Sequence, residues 1–263
     1  MSWRTITLAV DDRGVATLTL NRPERHNALS GEMCDELSAA AAELNAAPGL
    51  RAAVLTGAGA SFCAGGDLGW MRDQFAATRA GRLAEARRLA GMLRALNELD
   101  LPLIGRVNGA AYGGGVGMMS VCDVTVAAAD ARFGLTETRL GIIPATISPY
   151  VLARMGEGRA RTVFFSARIF DAAEAQALGL ATRIVAPEAL DAAVEAEVAP
   201  YFATAPGAVT AAKRLARSLG PRIDEAVIEA TIARLADVWE TEEAQAGVAA
   251  FLEKRPAPWS PAR

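Results

Sequence analysis

The chain is predicted to fold as an α/β protein with a helical C-terminal region. Three observations point there. Two period-two segments stand side by side near the N-terminus. Short apolar runs then alternate with helical patterns. From about Thr146 onward helical patterns dominate, interrupted by one further strand.

Ile6–Val10 and Val15–Leu20 alternate with period two around Asp11-Asp12-Arg13-Gly14, a hairpin signature. Asn21-Arg22-Pro23-Glu24 breaks the second strand. Ser30 is placed to cap a helix whose apolar face carries Met33, Leu37, Ala40, Ala41 and Leu44, and Pro48-Gly49 ends it. Ala52–Thr56 reads as a buried strand. Residues 78–99 read as a helix, with Leu83, Leu89, Met92, Leu93 and Leu96 at three- and four-residue spacings. Leu103–Val107 is the next strand. A triple glycine, a short helix and the strand Asp123–Ala127 follow. This succession predicts a right-handed βαβ wind. Further on, Thr182–Val185 reads as a strand and Asp171 as a helix cap. Pro187 and Pro206 suit first helical turns, and the tail from Arg255 to Pro261 reads as irregular.

Composition narrows the function classes. The 263 residues are 52% hydrophobic, enough for a sizeable core. A net charge of −3 implies no basic face, so nucleic acid is not expected as a partner. Cys34, Cys63 and Cys122 are too widely spaced for a disulfide framework or a metal-ligand pattern, and His26 is the sole histidine. With no second histidine, neither a zinc site nor a serine–histidine hydrolase is expected. The start lacks a basic-then-apolar signal region, and Val107–Cys122 is too short and glycine-rich for a membrane span. The expectation is a soluble, cytoplasmic protein.

Two glycine-rich stretches, Ser61–Leu68 and Gly109–Gly117, precede one acid, Glu137, in Phe133-Gly134-Leu135-Thr136-Glu137. The overlapping runs Gly57–Phe62 and Gly115–Ser120 each fall short of a dinucleotide fingerprint, with Phe62 and Ser120 at the third glycine position, and neither loop carries a P-loop lysine. Glycines let main-chain amides approach a ligand closely, and a helix beginning near Gly114 would aim free N–H groups at one spot. Two such amides and one acid suffice for enolate chemistry on a carbonyl compound. The competing reading is that the glycines only permit tight turns and close packing.

These residues resemble those of the crotonase superfamily, the enoyl-CoA hydratases/isomerases. The resemblance rests on Leu20–Leu29, Phe62–Leu68, Asn108–Asp123, Phe133–Glu137 with Leu140–Pro144, and Gly247–Arg255, in that order along nearly the whole chain. It implies a crotonase-type ββα spiral core over 1–187 and a helical trimerisation region over 188–263. It further implies homotrimers or dimers of trimers and an acyl-CoA thioester substrate. No cofactor is implied beyond the coenzyme A of the substrate, and no metal. By the same resemblance, Gly66 and Gly114 supply oxyanion amides and Glu137 is a catalytic acid. Ala28, Ala64 and Leu68 line the adenine and pantetheine path. Phe251 and Lys254 close the coenzyme A site across a subunit boundary, and Tyr112 and Gly117 lie beside the acyl group.

The chain departs from the two-glutamate hydratases at Gly117, where they carry their second acid, and at Ala145–Tyr150. The Gly113–Gly117 and Ile147–Tyr150 segments are more similar to the branch with methylglutaconyl-CoA hydratase of leucine breakdown and isohexenylglutaconyl-CoA hydratase. Gly117 is expected to enlarge the site. The added space either admits a branched or carboxylated acyl group or is inert. Arg72 and Arg139 are candidates to pair with a substrate carboxylate; Arg22, Arg25 and Lys254 are candidates for coenzyme phosphates. His26 is expected to order its loop and Asp67 to cap the next turn. Hydration of an enoyl-CoA is the leading expectation. Double-bond isomerisation and a non-catalytic acyl-CoA-binding or RNA-binding scaffold are the alternatives.

Overall fold

The structure, a computed structural model, describes residues 3–260; Pro261 of the expected tail lies outside them. Ten strands are β1 Ile6–Val10, β2 Val15–Leu20, β3 Ala52–Gly57, β4 Ser61–Cys63, β5 Leu103–Val107, β6 Ala110–Tyr112, β7 Val124–Ala128, β8 Arg132–Gly134, β9 Phe170–Asp171 and β10 Arg183–Val185. The helices are α1 Gly31–Ala46, α2 Leu68–Ala76, α3 Arg79–Asn97, α4 Gly114–Val121, α5 Ser148–Met155, α6 Glu157–Phe164, α7 Ala172–Ala177, α8 Leu190–Val198, α9 Pro206–Leu219, α10 Glu225–Trp239 and α11 Glu242–Leu252.

Six strands form one sheet in the order β1-β2-β3-β5-β7-β10. The β1–β2 hairpin is antiparallel and the remaining pairs are parallel. Both faces are covered, which is why β3 and β5 read as continuous apolar runs. Ala53 and Leu55 face the main core with Leu37, Leu93 and Leu96. Ala52 and Val54 face the other way, onto Leu190, Val194 and Val198 of α8.

A second sheet, β4-β6-β8-β9, has strands of only two or three residues. Each of its first three strands leads into a site loop. β4 feeds the Gly65-Gly66 turn, β6 feeds Gly113-Gly114, and β8 feeds the turn bearing Glu137. Sequence periodicity does not predict this sheet. The expected helix caps are present: Ser30 accepts the Met33 amide, Asp171 the Glu174 amide, and Pro206 opens α9.

Candidate active site

The first loop is set by buried polar side chains. The Asn27 amide donates to the carbonyls of Ala58 and Ser61, both at 2.8 Å, and its Oδ1 accepts the Arg22 amide at 2.9 Å. Arg22 donates to the Ala28 carbonyl at 2.8 Å and pairs with Asp67 at 2.9 Å. Arg22 therefore orders the loop and is not free for a coenzyme phosphate. Asp67 caps α2 by accepting from Gly69 and Trp70. Burial alone would raise the Asp67 carboxyl; the Gly69 amide, Arg22 and the Trp70 amide outweigh it and hold the group below its ordinary value. His26 Nδ1 lies 3.1 Å from Ser61 Oγ, tying the loop from its other side.

The two glycine loops touch. The Leu29 amide donates to the Gly65 carbonyl and the Asp67 amide to the Leu29 carbonyl, which leaves the Gly66 N–H between them uncommitted. A Cβ on Gly65, at φ +89°, would lie 3.0 Å from the Tyr112 carbonyl oxygen, so only glycine permits the approach. Gly113 turns the chain at φ +49°, and α4 starts at Gly114. The Gly114 N–H is one of the helix's unpaired first-turn donors. Among the described residues, neither the Gly66 nor the Gly114 amide donates to a protein acceptor.

Glu137 opens a 3-10 turn, Glu137–Leu140, directly after β8. A Cβ on Gly113 would meet its Oε1 at 3.0 Å. Its Oε2 is buried with no protein hydrogen-bond partner. Burial pushes the carboxyl up to about 7, only partly countered by its own backbone amide. The turn is braced from the C-terminal side. A Cβ on Gly141 would lie 2.6 Å from the Glu243 carbonyl oxygen, and one on Gly247 2.5 Å from the Leu140 carbonyl oxygen. α11 thus packs backbone to backbone against the acid-bearing segment.

These elements open onto one cavity of about 680 Å³. Ala64, Gly66, Gly114, Glu137 and Phe251 line it; Ala28, Leu68, Tyr112, Gly117 and Lys254 do not. Ala28 is buried, Leu68 is exposed at the start of α2, and Tyr112 offers its carbonyl to the Gly65 turn. Lys254 is an exposed residue with left-handed backbone at φ 56°. Among the described residues, Glu137 is the single carboxylate in the lining.

Two expectations need correction. Gly117 does not enlarge the site: a Cβ there would meet the Ile147 side chain at 2.5 Å, so Ile147 fills the space a second glutamate would need. Phe251 lines the cavity. Arg72 is exposed and off the cavity, whereas Arg82, unremarked in the sequence, lines it. Trp70, Trp239 and Trp259 also line it. Arg82 lies next to Leu83 in the helical pattern and reads there as an ordinary solvated charge. Among the described residues, no group of three or more His, Cys, Asp or Glu side chains could hold a metal, and no helix is long and apolar enough to cross a membrane.

The Enoyl-CoA hydratase/isomerase family pattern matches residues 11–262. A crotonyl-CoA hydratase of Syntrophomonas wolfei is 33% identical over 265 residues, covering 98% of both chains. The solved enoyl-CoA hydratase of Mycobacterium avium superimposes with a TM-score of 0.84 at 31% identity, over 97% of this chain and 99% of its own. Pseudomonas aeruginosa AtuE superimposes with a TM-score of 0.79 at 37% identity, over 98% and 100%. The chain belongs to the enoyl-CoA hydratase/isomerase family and is an enzyme of the crotonase fold.

Proposed function

We propose that the enzyme adds water reversibly to an α,β-unsaturated acyl-CoA, using Glu137 alone as acid and base. The carrying observation is that, among the described residues, one carboxylate lines the cavity, rests against Gly113 and shares the lining with Gly66 and Gly114, whose amides are free. A thioester oxygen accepting the Gly66 and Gly114 N–H groups makes the conjugated β-carbon electron-poor. Each such donor lowers the barrier by roughly 3 kcal/mol. The Glu137 carboxylate takes a proton from water as its oxygen bonds to the β-carbon. Charge passes to the thioester oxygen as an enolate. Protonated Glu137 then returns a proton to the α-carbon on the same face. A carboxyl near 7 serves both steps at neutral pH.

The acyl group in this reading is branched or carboxylated, of the 3-methylglutaconyl type. Support comes from the likeness of the Gly113–Gly117 and Ile147–Tyr150 segments to that branch and from the cations in the lining. In the same reading, Ala28, Ala64 and Leu68 flank the adenine and pantetheine path, and Tyr112 and Gly117 support the acyl end from behind the wall. Phe251 and Lys254 close the mouth. The region 188–263 serves assembly into trimers or dimers of trimers. α9, which has no buried residue and leaves Leu215 and Leu219 largely exposed, supports an assembly role. Isomerisation of a 3-enoyl thioester through the same enolate is the second reading, favoured by the single carboxylate.

Glu137→Gln should abolish hydration of crotonyl-CoA while coenzyme A binding persists. Near-normal turnover would remove the assignment. Parallel assays with 2-enoyl and 3-enoyl thioesters separate hydratase from isomerase.

A further inference from the structure

We propose that Arg82 is the counter-ion for a second carboxylate, one carried on the acyl chain of the substrate. This rests on the acyl-CoA reading above and names the substrate class more narrowly: half-thioesters of dicarboxylic acids.

Arg82 lines the same cavity as Glu137, Gly66 and Gly114. Its guanidinium is held in place rather than free. Nε donates to the Gln74 carbonyl at 2.9 Å and Nη2 to the Phe75 carbonyl at 3.2 Å, and the group stacks over the Trp239 ring at 5.6 Å. Both acceptors are last-turn carbonyls of α2, which carry partial negative charge but no formal one, so the guanidinium has no ionic partner there. A guanidinium has five N–H donors, and these two bonds leave three for a ligand.

The nearby acids are engaged elsewhere. Glu85, on the same helix, accepts Trp70 Nε1 and pairs with Arg88. Asp237 and Glu240, beside Trp239, both pair with Arg79. Among the described residues, no carboxylate pairs with Arg82. Arg255, also in the lining, is paired with Glu253. Arg139 sits exposed, where water screens a charge. Arg82 is half-buried and shares the cavity lining with Ala86, Leu89, Leu235 and Ile142, which suit the methylene or methyl carbons of an acyl chain. A planar, pre-positioned fork beside apolar walls is how a carboxylate on an otherwise apolar chain is recognised.

Binding separates this proposal from the hydratase reading. Glutaryl-CoA and hexanoyl-CoA are saturated, cannot be hydrated, and differ chiefly in the terminal charge. Calorimetry on the full-length enzyme should show glutaryl-CoA preferred, and Arg82→Met should cut the affinity ratio about 100-fold. Arg82→Lys, which keeps the charge without the fork, should cut it about 10-fold. If Arg82→Met does not fold, Arg82→Lys carries the test alone. A wild-type enzyme without preference for glutaryl-CoA, or a ratio unmoved in the folded variants, overturns the proposal. Crotonyl-CoA turnover by the wild type, measured in parallel, judges the hydratase reading separately.

Discussion

The Glu137 carboxyl lies against Gly113 so closely that a single methyl on the glycine would sit 3.0 Å from Oε1. The residue that turns the chain into α4 thereby also sets how near the acid stands to the first amides of that helix. Gly113→Ala meets two obstacles, the left-handed φ of +49° and the carboxyl itself. Backbone strain costs about 1–3 kcal/mol. Displacing the acid by a fraction of an ångström should lower kcat roughly 100-fold. Urea unfolding and steady-state kinetics on one preparation check both; unchanged kcat would show that the contact is not functional.

Glu137 should make stability depend on pH. Its folded-state value of about 7 stands above the ordinary 4.5 because of burial. A carboxyl raised in the folded state favours folding when protonated. That contribution is complete below 4.5 and is lost as pH rises through about 7. Glu137→Gln removes the dependence. The variant should be more stable than wild type at pH 8.5, by up to about 3 kcal/mol, with the gap closing toward pH 5. Denaturant melts at three pH values test this, and a constant gap would contradict the burial account.

The same group should shape the rate. In the proposed mechanism the Glu137 carboxylate takes the proton from water, so kcat/KM for hydration should climb with pH through a midpoint about 7. A profile flat from pH 5.5 to 8 would point to a different base.

Ile147 and Gly117 should be energetically coupled. Gly117→Ala overpacks against the Ile147 side chain and should cost about 1–3 kcal/mol. In an Ile147→Ala background the same change should cost clearly less. A double-mutant cycle measures the difference; strict additivity would mean the two side chains are not in contact.

Asp67 should act as a clamp on the first loop. Asp67→Ala removes the cap of α2, at about 1 kcal/mol, and strands the mostly buried Arg22 guanidinium. Thermal melts should show a larger loss than for the cap alone. Restoring stability by adding Arg22→Met would identify the stranded charge as the cause.

Much of this was legible in the residues. The β1–β2 hairpin and the β3, β5 and β7 runs follow from period two and from burial on both faces. Glu137 stood out through its place among the glycine stretches. The small sheet did not, because strands such as Ser61–Cys63 and Phe170–Asp171 are too short to show alternation. The filling of Gly117 by Ile147 depends on how α4 sits against α5 and its preceding turn, a tertiary fact with no local signature. Arg82 was hidden for a similar reason: the Gln74 and Phe75 carbonyls and the Trp239 ring that hold it come from other elements and mark it as more than a solvated cation.

The backbone contacts of Glu243 with Gly141 and of Gly247 with Leu140 carry a consequence for biosynthesis. The turn that holds Glu137 is braced by residues near the far end of the chain. A nascent polypeptide could close its large sheet while still on the ribosome, yet the wall that carries Glu137 would stay unfinished until α11 emerged. Chains released early would look largely folded and be catalytically silent.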